Sequence, residues 1–214
     1  MENLVNQLQT NEKTKQLMKR FDRSHFSQMN TYIDKPSSIG YDQTISAPHM
    51  HAKAIEYLEP VLKPGSSILD IGSGSGYLTA CFGEAVQVYH KDEYYRGKVV
   101  GLERVPELVE DSIDTIINHY PHLYRYKRNF KILAKDGKLG HPSKTKEELY
   151  DGIHIGAACE SIPYFLFQQL KKDGILVIPL KRGNKQLIFT IVHKDKEGNI
   201  HIKDKGSVRY VPLV

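Results

Sequence analysis

Ser67-Ile68-Leu69-Asp70-Ile71-Gly72-Ser73-Gly74-Ser75-Gly76-Tyr77 is the stretch on which the fold turns. Residues 67–71 form a short apolar run that reads as a strand and ends in a glycine-rich turn, and Tyr77 to Ala85 then reads as a helix. Glycines at such a junction permit a tight turn and let a ligand approach the backbone. Lys98 to Glu103 reads as a second, β-branched strand, and Val105 to Tyr120 as a helix with Leu108, Val109, Ile113, Ile116 and Ile117 on one face. Phe130 to Ala134, Tyr150 to Ile155 and Ile175 to Leu180 supply further strands, with a helix predicted over Ile162 to Leu170. Gln186 to His193, followed by Glu197-Gly198-Asn199, predicts a late antiparallel hairpin. Strand–helix alternation of this kind implies an α/β fold with a mostly parallel, doubly wound sheet.

A ligand of such a sheet sits in the crevice at the carboxyl ends of the strands. Glu103 ends the second strand, where it can accept hydrogen bonds from a ribose diol. Dinucleotide-binding folds and folds that bind S-adenosylmethionine share this much. The spacing here is G-x-G-x-G, and Gly76 arrives one place earlier than the dinucleotide pattern G-x-G-x-x-G requires. Asp70 would repel a pyrophosphate but suits the cationic amino group of a methionine moiety.

Ahead of this core, Asn3 to Phe21 predicts an amphipathic helix, Asp22 to Ala47 an irregular segment beside the crevice, and Pro48 to Leu62 another helix. Residues 1–66 are thus expected to cap a Rossmann-like core at 67–214, in one domain. The chain has 214 residues, 26% of them charged, enough to bury a core without disulfide or metal staples. Its longest apolar run, Ile175 to Leu180, is far below the roughly 20 residues a membrane helix needs. The first residues carry no secretory pattern, and Cys81 and Cys159 in apolar surroundings suit buried thiols in a reducing, cytoplasmic compartment. His49 and His51, two apart on a helix, are poor metal partners, and no metal site is expected. The net charge of +5 is spread over the tail and the 83–98 and 120–130 stretches, so it reads as a weak steering field, not a nucleic-acid surface.

Asp22-Arg23-Ser24-His25, Ser38-Ile39-Gly40-Tyr41-Asp42-Gln43-Thr44-Ile45-Ser46-Ala47-Pro48-His49-Met50-His51-Ala52, Ile68 to Ala80, Tyr150 to Ala158, Gln169 to Leu180 and Arg209 to Leu213 together resemble the protein-L-isoaspartate (D-aspartate) O-methyltransferases. The resemblance implies a class I S-adenosylmethionine-dependent methyltransferase fold. It implies methyl transfer to the α-carboxylate of L-isoaspartyl residues, and to the β-carboxylate of D-aspartyl residues, in damaged proteins and peptides, with S-adenosylhomocysteine as product. Matching positions imply that Gln43, Thr44, Ile45, Ser46, His51, Ser75, Glu103, Asp136 and Gly137 line the cofactor site, beside Asp70, Gly72, Gly74 and Gly76. Ser46 matches the family's active-site serine. Ile39, Ser46, Ile153, His154, Ile155, Gly156 and Ala157 are expected to border the peptide, and the enzyme is expected to be a monomer. The alternative is a methyltransferase of the same fold acting on RNA or a small molecule.

Read without that resemblance, Ser46 could simply help start the following helix, and Asp136-Gly137 could be an ordinary turn after a strand. Gly83 to Lys98 is longer than the family's usual link and is read as an exposed insertion.

Overall fold

The computed structural model describes residues 1–141, 149–183 and 186–208; the stretch Arg209 to Leu213 lies outside them. The N-terminal region holds two helices where one was expected, α1 (Glu2–Gln7) and α2 (Glu12–Lys19). Apolar spacing alone could not show the break. Leu8 is extended, with φ −70° and ψ 137°, and Asn11 opens a new helix by accepting the Thr14 N–H at 2.8 Å. Glu56 anchors the break by accepting from the Thr10 hydroxyl at 2.5 Å and the Asn11 N–H at 2.7 Å.

Asp22 to Ala47 is not wholly irregular. It contains a 3₁₀ turn at Arg23–His25 and an antiparallel pair, β1 (Ser37–Gly40) and β2 (Gln43–Ile45). These strands are too short to show a period. Next comes α3 (Pro48–Leu58), which passes into a 3₁₀ turn at Glu59–Val61, because Pro60 has no N–H to continue the ladder.

The core follows as β3 (Ser67–Ile71), α4 (Tyr77–Ala85), β4 (Lys98–Glu103), α5 (Pro106–His119), β5 (Phe130–Ala134), β6 (Tyr150–Ile155) and α6 (Tyr164–Gln169). It ends with β7 (Leu170–Arg182), β8 (Gln186–Lys194) and β9 (Ile200–Val208). The sheet order is β5-β4-β3-β6-β7-β8-β9, parallel from β5 to β7 and antiparallel beyond. The order reverses between β3 and β6, and a crevice opens there.

Period-two alternation assigns each strand residue to one face of the sheet. Ile68, Val99 and Val177 pack with Ile55, Leu58, Phe82 and Ile116 of the helices α3, α4 and α5. Leu69, Val100, Leu176 and Ile178 pack on the other face with Leu166 of α6. With both faces covered, the central strands are apolar almost throughout.

The 83–98 stretch is not the exposed insertion expected from its charge. Glu84, Val86 and Val88 are buried, and only residues 91–95 are exposed. Val86 carbonyl accepts from Gly65 N–H at 3.2 Å and Gly97 N–H at 3.0 Å, which fastens the segment under the sheet. A side chain at Gly97 would come within 2.3 Å of that carbonyl. Cys81 and Cys159 are buried free thiols, as expected, and burial pushes the Cys159 pKa up to about 11. Among the described residues, no helix is long and apolar enough to cross a membrane.

Candidate active site

Gly72, Gly74 and Gly76 take φ of 74°, 53° and 85°, a left-handed region that strains other residues. Gly72 and Ser73 N–H groups both donate to Leu102 carbonyl, at 2.8 and 3.0 Å, and this pins the turn to β4. Glu103 completes the splint. Its Oε2 accepts Gly74 N–H at 3.0 Å, and Oε1 accepts Arg104 and Val105 N–H at 2.8 and 3.1 Å. Across the reversal point, Gly156 N–H donates to Ile71 carbonyl at 2.8 Å. A methyl on Gly156 would lie 2.9 Å from Gly72 carbonyl oxygen, so the approach of the two strand ends requires glycine at 156, while Gly72 is required by its positive φ.

This junction floors a narrow compartment of about 60 Å³, lined by Gln43, Thr44, Gly72, Gly74, Glu103, Arg104, Lys135, Asp136, Gly137, Gly156 and Ala157 among others. Asp136 Oδ1 accepts Lys138 N–H at 2.9 Å, while Oδ2 has no partner among the described residues. A wider cleft of about 510 Å³ adjoins it, with Thr44 and Gly156 in both walls. Pro36, Ser46, His49, Met50, Lys53, Ser207 and Val208 line the wider part. The Ser46 hydroxyl makes no hydrogen bond among the described residues, whereas its carbonyl accepts from Arg23 Nη2 at 2.8 Å.

Arg23 is completely buried, and its Nε and Nη1 have no hydrogen-bond partner among the described residues. Burial pulls its pKa down to about 10, against the opposing influence of Tyr77 and Asp34. His51 is buried too, stacked on Tyr77 at 5.0 Å, with no partner for Nδ1 among the described residues. Burial, helped by the positive charge of Arg23, holds the His51 pKa well below its ordinary value and keeps the ring neutral.

Several residues expected at the site lie elsewhere. Asp70 does not face the crevice. Its Oδ2 accepts from Thr79 hydroxyl at 2.5 Å and its Oδ1 lies 2.8 Å from His154 Nδ1, beneath the turn. Ile153, His154 and Ile155 do not border the cleft either, because β6 is covered on both faces and buries all three. Only Gly156 and Ala157, past the strand's end, reach the cavity.

Ile45 packs in the apolar core. Gly76 starts α4, where a side chain would press on Ser112 and Ile116 at 3.2 and 3.3 Å. Ser75 and Ile39 line a separate groove against α5, although the Ser75 hydroxyl is itself buried with no partner among the described residues. Arg23, Lys53, Arg104 and Lys135 were not anticipated as site residues. Arg23 stands in one of the distinctive motifs, but a charge in an aperiodic loop gives no sign of burial.

The family model Protein-L-isoaspartate(D-aspartate) O-methyltransferase (PCMT) matches residues 1–214. The chain belongs to this family. Protein-L-isoaspartate O-methyltransferase 1 of Arabidopsis thaliana is 41% identical over 216 residues, covering 100% of this chain and 89% of that protein. A Caenorhabditis elegans protein-L-isoaspartate O-methyltransferase is 39% identical over 196 residues, 92% of this chain and 82% of the relative. In structure, the chain is similar to a Plasmodium falciparum protein-L-isoaspartate O-methyltransferase crystallised in complex with S-adenosyl-L-homocysteine. That match has a TM-score of 0.89 at 34% identity and covers 100% of this chain and 97% of the other. The fold is that of a class I S-adenosylmethionine-dependent methyltransferase, and the chain is a member of a methyltransferase family throughout its length.

Proposed function

We propose that this chain methylates the α-carboxylate of L-isoaspartyl residues, and the β-carboxylate of D-aspartyl residues, in damaged proteins. The observation that carries the reading is the joined pair of compartments: one built on the glycine turn, the other around Ser46, meeting at Thr44 and Gly156. A donor and an acceptor can each occupy one compartment and touch at the junction.

The residues fit an S-adenosyl group. Glu103 offers carboxylate lone pairs for ribose hydroxyls, and Asp136 Oδ2 is open to an adenine amino group. Where Gly156 meets the Gly72 carbonyl there is no room for a side chain at 156. His51 Nδ1 and Ser75 Oγ are buried polar atoms without a partner among the described residues, which a bound ligand can satisfy directly or through rearrangement. When bound, the cofactor supplies a methyl group on a cationic sulfur.

The remaining task of the protein is alignment. A carboxylic acid has a pKa of about 3.3–3.9, so the acceptor is already ionised at neutral pH and needs no base. Ser46 orients it with a neutral hydroxyl, which holds the oxygen without quenching its nucleophilicity as a cation would. The apolar and backbone walls exclude water while the carboxylate oxygen approaches in line. We further propose that the chain works as one domain with residues 1–66 as its cap, as a cytoplasmic monomer, without nucleic acid.

Two peptides that differ only in isoaspartyl against aspartyl linkage test this. Selective methylation of the isoaspartyl form is expected, and equal or absent methylation of both would overturn it.

A further inference from the structure

Among the described residues, the wider cleft has one formally charged side chain in its wall, Lys53, and none of those lining residues is a carboxylate. His49, one helical turn earlier on the same face of α3, has its Nδ1 2.8 Å from Asp34 Oδ1 and so has a local acid of its own. Lys53 is half-buried and has no hydrogen bond or ion pair among the described residues. Glu56, the nearest acid along its helix, is occupied with Thr10 and Asn11.

A cation held half out of water without a partner, in the wall of a cleft, favours an anion in that cleft. Its position relative to Ser46 sets where the anion must lie. Ser46 and His49 flank the start of α3, and Lys53 follows His49 by one turn, about 6 Å along the axis. An extended peptide covers that distance in about two residues, and the flexible lysine stem adds reach.

We propose that Lys53 is a specificity-determining residue, which selects isoaspartyl peptides carrying an acidic side chain within three residues of the damaged site. The inference rests on the assignment of the wider cleft to the acceptor peptide. Lys53 does not touch the reacting carboxylate in this arrangement; it holds the flanking chain in register, and its effect falls on KM.

The test is a set of isoaspartyl peptides with glutamate or glutamine at each of three positions on either side of the isoaspartate, assayed at low salt. In the native enzyme, glutamate at one or more of these positions is expected to raise kcat/KM over glutamine by roughly two- to tenfold, through KM. Lys53→Gln should bring that ratio to about one, Lys53→Arg should retain it, and added salt should shrink it. The ratio is internal to each enzyme, so altered overall turnover does not obscure it. The absence of a glutamate preference in the native enzyme, or a preference that survives in Lys53→Gln, overturns the assignment of Lys53 while leaving the methyltransferase reading intact. Failure to methylate any isoaspartyl peptide overturns the methyltransferase reading, and the role of Lys53 falls with it.

Discussion

The two compartments of the crevice are built in opposite ways. The narrow one is made of strand ends and backbone: Gly72, Gly74 and Gly156 set its floor, and Glu103 is locked to three N–H groups. The wide one is made largely of side chains from α3 and the residues leading into it, with Thr44 of β2 and Ser207 and Val208 of β9. A backbone wall has no spare freedom, whereas a side-chain wall can change composition without moving the chain. Substitutions in the narrow compartment should therefore abolish activity, and those in the wide one should redirect or slow it.

Gly156→Ala is the harshest test of that contrast. The new methyl would lie 2.9 Å from Gly72 carbonyl and 3.4 Å from Ile71 carbonyl, both backbone atoms of a hydrogen-bonded strand end. Shifts at this junction misalign donor and acceptor, with an expected fall in kcat/KM of about a hundredfold or more. Gly198→Ala is the control. It also stands at positive φ, 102°, but has open space around it in the β8–β9 turn. It should cost about 1 kcal/mol of stability and leave kinetics alone. Comparable activity losses in the two variants would break the distinction between a backbone wall and ordinary glycine strain.

Ser46→Ala comes next. Losing one neutral donor to a carboxylate is expected to slow kcat about ten- to a hundredfold. Affinity for S-adenosylhomocysteine, measured by calorimetry, should change little. Lost cofactor affinity with unchanged turnover would move Ser46 into the narrow compartment. Arg23→Lys acts one step further back, through the Ser46 carbonyl. A lysine keeps the charge but not the planar fork, so kcat should fall by about three- to tenfold, less than for Ser46→Ala. If Arg23→Lys exceeds Ser46→Ala, Arg23 has a role beyond placing that carbonyl.

The same contrast explains what could be read from the sequence. The strand, glycine turn and helix from Ser67 to Ala85 fall where their pattern puts them, because glycines and apolar period are local signals. Asp70 and His154 were misplaced for a physical reason. A strand buried on both faces does not reveal which way a polar residue points, and here the two meet each other beneath the turn. The cap was the least legible part. The face of α1 and α2 is continuous in sequence, yet Asn11 and Glu56 break it through a contact 45 residues apart. Arg23 shows the limit most clearly, since a completely buried guanidinium in a loop leaves no periodic trace.

The smallest effect belongs to His51, whose ring is buried against Tyr77. Its pKa is depressed in the folded state, so the unfolded chain binds the proton more readily between that depressed value and about 6.5. The stability His51 permits is therefore complete above about pH 6.5 and declines as pH falls toward the folded value. The slope is at most about 1.4 kcal/mol per pH unit from this one group. Urea midpoints of the native chain and His51→Gln should converge or cross as pH drops from 8 to 5, because only the native chain carries this term. Parallel curves would mean that His51 takes up its proton while folded, which requires an acceptor or an opening near its unpartnered Nδ1. The cofactor sharpens the point: a ligand that satisfies Nδ1 should change the slope, and one confined to the strand ends should leave it as it is.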